Sequence, residues 1–225
     1  MISTIKSTAN EETNYPVLLK FFAHIISVVF HPLFITVYGA YYLIYTHLSF
    51  FNGLNGHAKR WIIIRIIINM VIFPGITVLL LKGVGFIDSV LLHKQRDRII
   101  PYITTGIFFF WMYLVFKNQE NISLVLVSFI FSVFLSSSAA MILNIYNKVS
   151  MHAVGMGGLI GLFWVVTKTT HSSVAVPLPL MVVLLITGLV CTARLIITDH
   201  TPKQIYVGLI TGILCQLIGG LIILN

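Results

Sequence analysis

Charged residues are scarce in this chain of 225 residues. Asp, Glu, Lys and Arg together make up 9% of the sequence, whereas ordinary soluble domains carry about 25%. Hydrophobic residues make up 58%, and the mean hydropathy is +0.99. A soluble fold of this length could not keep so much apolar surface away from water. The composition excludes a soluble enzyme, a nucleic-acid-binding protein and a disordered chain, and it favours a polytopic helical membrane protein.

Acidic residues and cysteines are rarer still. There are six Asp and Glu residues and two cysteines, Cys191 and Cys215, both inside apolar runs. They are expected to be buried thiols that act as small hydrophobic residues. The sequence has no H-E-x-x-H pattern, no Cys/His cluster and no group of carboxylates that would hold Mg²⁺. We therefore expect neither a metal site nor another cofactor.

Basic residues give the chain its charge. Fourteen Lys and Arg residues against six acidic ones give a net charge of +8. These charges lie between apolar runs, so anionic membrane lipids or a phosphorylated substrate are the expected partners, and nucleic acid is not.

Long apolar runs follow a polar N-terminal tail at 1–16, which lacks the basic start and short apolar core of a signal peptide. A spanning helix needs about 20 apolar residues. On this measure residues 17–225 form a single all-α transmembrane domain of six to seven helices, and Pro32 is expected to bend or break the first helix after His31. The predicted helices are Val17–Leu48, Trp61–Leu81, Ile99–Phe116, Ile122–Tyr146, Met151–Thr167, Leu178–Ile197 and Ile205–Leu224.

Polar and ionisable residues cluster in three connections between these helices. The clusters are 93–98 before the third helix, 148–152 at the start of the fifth, and 194–204 between the sixth and seventh. Alternate connections of a multi-pass protein lie on one side of the bilayer, so the three clusters can meet. Polar groups at membrane depth are costly, which makes such a meeting point a candidate functional site.

The combined side chains suit phosphate chemistry. Cations and the backbone N–H groups of a helix N-terminus bind phosphate. A histidine can attack phosphorus, and a second histidine can protonate a leaving oxygen. His200 and His152 are the two histidines in the clusters.

These residues resemble the motifs of the type 2 phosphatidic acid phosphatases, over about 94–225. Arg194, five further residues, His200 and Pro202 resemble the third motif, S-R-x5-H-x3-D. Ser150-Met151-His152 resembles the second motif, P-S-G-H, and Lys94 to Pro101 resembles the first, K-x6-R-P. The first two helices are extra to the resemblance, which is to a divergent, bacterial-type member of a multi-pass family of the inner (cytoplasmic) membrane.

The resemblance implies an integral-membrane lipid phosphate phosphatase that works without metal through a phosphohistidine. His200 would be the nucleophile, His152 the acid for the leaving group, and Gln204 the partner that orients His200. The phosphate ligands would be Lys94, Arg96, Arg98, Ser150 and Arg194. The substrate would be a phosphate monoester or diphosphate of a lipid.

Departures from the motifs keep a second interpretation open. Ala193 and Gln204 replace the Ser and Asp of the third motif, and Ile99 and Ile100 separate Arg98 from Pro101. The alternative is a catalytically degenerate member that binds or moves a phosphorylated lipid. Basic residues are divided too evenly, once the candidate phosphate ligands are set aside, to predict which side of the membrane the site faces.

Overall fold

Helices make up all the regular structure of the part of the chain that the computed structural model describes, which is 15–90, 95–169, 177–197 and 200–225. No strand occurs in these ranges, so the prediction of an all-α protein is confirmed. The helices are α1 Val17–Val29, α2 Pro32–Tyr41, α3 Gly56–Ile67, α4 Phe73–Gly83, α5 Ile99–Lys117, α6 Leu124–Tyr146, α7 Met151–Thr169, α8 Pro177–Ile196 and α9 Pro202–Leu224. One π-helical turn, Tyr42–Thr46, extends α2, and another, Ile68–Ile72, joins α3 to α4.

Six helical segments are long and apolar enough to cross a membrane, and the bent pair Val17–Val29 and Pro32–Thr46 gives a seventh if it counts as one span. The six are Gly56–Gly83, Arg96–Lys117, Leu124–Tyr146, Met151–Thr169, Leu178–Ile196 and Pro202–Leu224. Large apolar side chains such as Leu185 and Leu221 lie exposed on the outside of the bundle, as a lipid-facing surface requires. The chain is an integral, multi-pass membrane protein of six to seven spans, as predicted.

The break in the first apolar run lies where Pro32 predicts it. Pro32 has no N–H group and is tolerated at the first position of a helix, where that group would lack a partner anyway. The preceding His31 adopts an extended conformation and caps α2 by accepting a hydrogen bond from the N–H of Leu33. The two helices are bent by 55° at this point. The direction of α1 therefore differs from that of α2, and α1 packs against α8.

Close contact of α7 with α9 holds the centre of the bundle together. A Cβ atom at Gly208 would lie 2.8 Å from the carbonyl oxygen of Ser150, and one at Gly212 would meet the carbonyl oxygen of Val154. Gly157 in turn faces the backbone of α9 at Leu209. The glycines spaced four apart on each helix thus allow the two backbones to touch, as small residues do in membrane helix pairs. This contact fixes the starts of α7 and α9 side by side.

Candidate functional site

A cavity of about 660 Å³ lies inside the bundle and is lined by residues from eight of the described helices and from the connections between them. Its walls are mostly apolar, for example Phe109, Phe129 and Val133. At one end the lining is polar and basic, and we call this the basic end of the cavity: His24, Ser27, His31, Arg98, His152, Arg194 and His200. These residues come from α1 and the connection after it, the start of α5, the start of α7, the end of α8 and the connection before α9. The structure thus brings all three sequence clusters to one cavity.

His200 has a fixed orientation in this cavity. Its Nδ1 atom lies 3.1 Å from Oε1 of Gln204, one helical turn further on. The same oxygen accepts a hydrogen bond from the N–H of Thr201 at 3.2 Å, and the Thr201 hydroxyl accepts one from the N–H of Gln204. This reciprocal pair is a capping box at the start of α9. Because the backbone N–H can only donate, the Gln204 atom is the amide oxygen, and His200 Nδ1 must carry the proton.

The Nε2 atom of His200 therefore keeps its lone pair and is chemically able to act as a nucleophile. The ring is only 8% exposed. Its pKa is lowered from 6.5 to about 4, mainly by burial and also by the positive charges of Arg194, Lys148 and Arg98, while the Gln204 hydrogen bond opposes the shift. A histidine with this pKa is neutral at pH 7, which is the form that can attack phosphorus.

His152 is oriented by the end of α1. Its Nε2 atom lies 2.9 Å from the carbonyl oxygen of Ser27, so Nε2 donates the hydrogen and Nδ1 is left to exchange a proton. This carbonyl is available because the helix ends here: the N–H of His31, its regular partner, bonds to the carbonyl of Val28 instead. The rings of His31 and His152 meet edge to face, with centroids 5.7 Å apart.

Two guanidinium groups supply positive charge at the basic end. Arg194 is 9% exposed, and its Nη1 donates to the hydroxyl of Ser27 at 3.4 Å. Arg98 is half-buried, and its Nη1 donates to the carbonyl of Val149 at 3.3 Å. The first residues of α2 and α7 line the same end, and helix N-termini attract anions through their N–H groups and dipoles. The basic end can therefore hold a phosphate group.

Two of the other predicted phosphate ligands, Arg96 and Ser150, lie outside the cavity lining. Arg96 is exposed and is not part of the cavity lining. Ser150 is fully buried outside the lining; its hydroxyl accepts from the N–H of Ala153 at 3.5 Å, and its own N–H donates to the carbonyl of Gln204. Its contacts are those of a residue that starts α7 and joins it to α9. Lys94 lies outside the described residues.

Sequence reasoning missed three residues of the basic end, His24, Ser27 and His31. All three lie in the first apolar run, which is extra to the resemblance on which the predicted site residues depend. The available signal was the pair His31-Pro32, because a break in a membrane helix frees backbone carbonyls that then need partners. Among the described residues, no group of three or more His, Cys, Asp or Glu side chains is placed to hold a metal ion.

Comparison of the chain with protein-family models, curated proteins and solved structures gives no match. The relation to the type 2 phosphatidic acid phosphatases is accordingly a resemblance in motifs, and the geometry of the cavity is the independent basis for a functional proposal.

Proposed function

We propose that this protein is a membrane phosphatase that removes phosphate from a lipid phosphate monoester or diphosphate, without metal and through a phosphohistidine. The observation that carries the proposal is His200, held by Gln204 with Nε2 unprotonated, in a cavity that also receives Arg194, Arg98 and His152. The resemblance to the type 2 phosphatidic acid phosphatases supports the same roles.

The first step is transfer of the phosphoryl group to His200. Nε2 of His200 attacks phosphorus, the new P–N bond forms, and the bond from phosphorus to the leaving oxygen breaks. The negative charge of a bound phosphate favours the protonated form of His152, which gives its Nδ1 proton to that oxygen, so the product leaves as an alcohol or, from a diphosphate, as the shorter phosphate. Arg194 and Arg98 neutralise the charge on the non-bridging oxygens.

The second step releases phosphate. His152, now neutral at Nδ1, takes a proton from a water molecule as the water attacks phosphorus. The P–N bond breaks, inorganic phosphate forms, and His200 returns to its starting state with the proton on Nδ1. His152 is again protonated, so both histidines are ready for the next cycle.

The apolar walls of the cavity favour a lipid as the rest of the substrate. A soluble phosphate ester would leave the surfaces of Phe109, Phe129 and Val133 without a partner, whereas an acyl or isoprenoid chain would cover them. Four kinds of lipid combine a phosphate group with an apolar chain: phosphatidate, phosphatidylglycerol phosphate, a polyprenyl diphosphate and a phosphorylated glycolipid. Each would leave its phosphate at the basic end, near the membrane surface.

A second candidate is a protein that binds or moves a phosphorylated lipid without hydrolysing it. Gln204 favours this candidate because it is neutral. A carboxylate at this position would stabilise the positive charge that His200 gains as it attacks, and an amide cannot do so to the same extent.

One assay separates the two candidates. Purified protein with EDTA present is given the four lipid phosphates named above, and released inorganic phosphate is measured. The phosphatase releases phosphate from at least one of them, is inhibited by vanadate, and forms an acid-labile, alkali-stable phosphoprotein when quenched during turnover. Binding of these lipids without phosphate release would instead identify the non-catalytic protein.

Substitution of Gln204 tests whether the amide orients His200. Gln204→Leu should lower turnover by roughly 10–100-fold, because His200 loses the acceptor that fixes its tautomer, a loss of about 1–3 kcal/mol of transition-state stabilisation. Gln204→Glu keeps both hydrogen bonds and adds a negative charge, so it should raise turnover and move the acid limb of the pH–rate profile to higher pH.

Thr201→Ala is the matched control for that experiment. It removes one half of the capping box but leaves the contact between Gln204 and His200, so it should reduce stability by about 1 kcal/mol with little change in turnover. If Thr201→Ala and Gln204→Leu lower turnover equally, the capping of α9 is what matters, and Gln204 has no separate role towards His200.

A further inference from the structure

The end of the cavity opposite the basic end contains a polar side chain that the proposed reaction does not use. Gln216 of α9 is 1% exposed and lines the cavity. Neither its Oε1 nor its Nε2 has a hydrogen-bond partner among the described residues. Buried amides without partners are rare in proteins, and each such group calls for a ligand or a structural reason.

Three serines of α6 also line the cavity, and the side chain of Ser132 packs against α9 at Gly219, three residues beyond Gln216. Ser132, Ser136 and Ser137 are buried and belong to its lining. The hydroxyl of Ser132 donates to the carbonyl of Ser128 at 2.7 Å, which leaves its oxygen able to accept a further hydrogen bond. We call Gln216 with these three serines the amide subsite.

Packing holds the stem of Gln216 in place. A Cβ atom at Gly161 would lie 2.7 Å from Cβ of Gln216, so the absence of a side chain at Gly161 makes room for this residue. Because the stem is packed against α7, the amide has little freedom to turn towards another protein group. Its position is thus better explained by a ligand than by a hydrogen bond within the protein.

The amide subsite lies far from the basic end. Gln216 follows the start of α9 at Pro202 by about 14 residues, which corresponds to about 21 Å of helix. Phe109, Phe129 and Val133 line the cavity as well and supply its apolar wall. A lipid with its phosphate at the basic end would reach Gln216 only with the outer part of its chain.

We propose that the amide subsite binds a hydroxyl or amide group carried on the chain of the phosphorylated lipid, well away from the phosphate. The primary amide has both a donor and an acceptor, as this kind of group requires. A plain hydrocarbon chain at the same place would leave both amide atoms without partners, so the protein should discriminate against it. This inference rests on the phosphate site of the proposed function and adds the chemistry of the chain to it.

Binding of three alkylphosphonates tests the inference without depending on turnover, because the C–P bond is not hydrolysed. The probes are hexadecylphosphonate and its 4-hydroxy and 12-hydroxy derivatives, titrated against detergent-solubilised protein. The two hydroxy isomers have the same composition and differ only in where the hydroxyl lies. We expect the 12-hydroxy isomer to bind roughly 10-fold more tightly than the 4-hydroxy isomer.

Gln216→Leu should abolish this preference. The variant should also bind hexadecylphosphonate, the probe without a hydroxyl, more tightly than the original protein does. Thr211→Val is the control on the same helix, because Thr211 is outside the cavity lining and its hydroxyl already donates to the carbonyl of Val207 at 2.7 Å. This variant should keep the preference of the original protein.

If the two hydroxy isomers bind equally tightly to the original protein, the proposal of an amide subsite is overturned, and the phosphate site is left intact. This comparison needs no variant, so it holds even if Gln216→Leu does not fold. Failure of all three probes to bind would overturn the phosphate site and the subsite together. Preference for the 12-hydroxy isomer in a protein that releases no phosphate would support the subsite while refuting the phosphatase.

Discussion

His200→Ala should abolish phosphate release, with a decrease in turnover of at least about 10⁴-fold. The reason is that Nε2 of His200 forms the covalent bond to phosphorus, and alanine offers no atom that could replace it. The trapped phosphoprotein should disappear in the same variant. Phosphate release and labelling of the quenched protein are the two measurements.

His57→Ala is the matched control for this variant. His57 is exposed at the start of α3, where it accepts a hydrogen bond from Trp61 at 3.1 Å, and it is not part of the cavity lining. It should leave activity and labelling unchanged. Phosphate release that survives His200→Ala in a folded protein would remove His200 as the nucleophile.

Hydropathy was sufficient to predict the spans, because a bilayer requires about 20 apolar residues per helix wherever the chain crosses it. Details at the helix ends depend on local hydrogen bonds that hydropathy does not record. The second span was predicted to begin at Trp61 but begins at Gly56, since the side chain of Asn55 caps the helix by accepting from the N–H of Ala58 at 2.8 Å. Similarly, Ser123 caps α6, which begins at Leu124, two residues after the predicted start at Ile122.

The meeting of Arg194, His152 and His200 at one cavity also follows from the sequence. Each belongs to a helix end on the same side, because successive spans alternate in direction. All three residues line one cavity, as the alternation of spans predicts. Topology alone is enough for this step, and no knowledge of side-chain packing is needed.

Packing between distant segments decides the remaining parts of the site, and no local pattern records it. Pro32 predicts a break, but only the packing of α1 against α8 places the carbonyl of Ser27 beside His152. Ser150 was predicted to bind phosphate from a resemblance in motif, yet its hydroxyl accepts a hydrogen bond from the N–H of Ala153. Gln216 belongs to no motif and is noticeable only once its burial is known.

Arg194→Met should lower kcat/KM by roughly 10³-fold and move the acid limb of the pH–rate profile upward. The loss arises because a buried guanidinium can bind two phosphate oxygens at once, a contact that strengthens as charge develops in the transition state. The shift in pH has a separate cause. Activity should fall as His200 takes up a proton. Burial is the main reason that the pKa of His200 is about 4, and the positive charge of Arg194 lowers it as well. Without that charge the pKa should rise towards 6.5, so activity should be lost at higher pH.

Two further variants separate the possible causes of these effects. Arg194→Lys distinguishes the charge of Arg194 from its hydrogen-bonding geometry, and Arg96→Met tests whether an arginine outside the cavity has the same effects. Lysine keeps the positive charge but not the planar pair of donors, so the acid limb should stay in place while kcat/KM falls by roughly 10-fold or more. Arg96 is exposed and outside the cavity lining, so Arg96→Met should change neither quantity. Removal of the positive charge of Arg194 must raise the pKa of His200, whatever structural role Arg194 also has. An acid limb that does not move in Arg194→Met would therefore mean that this pH dependence belongs to a group other than His200.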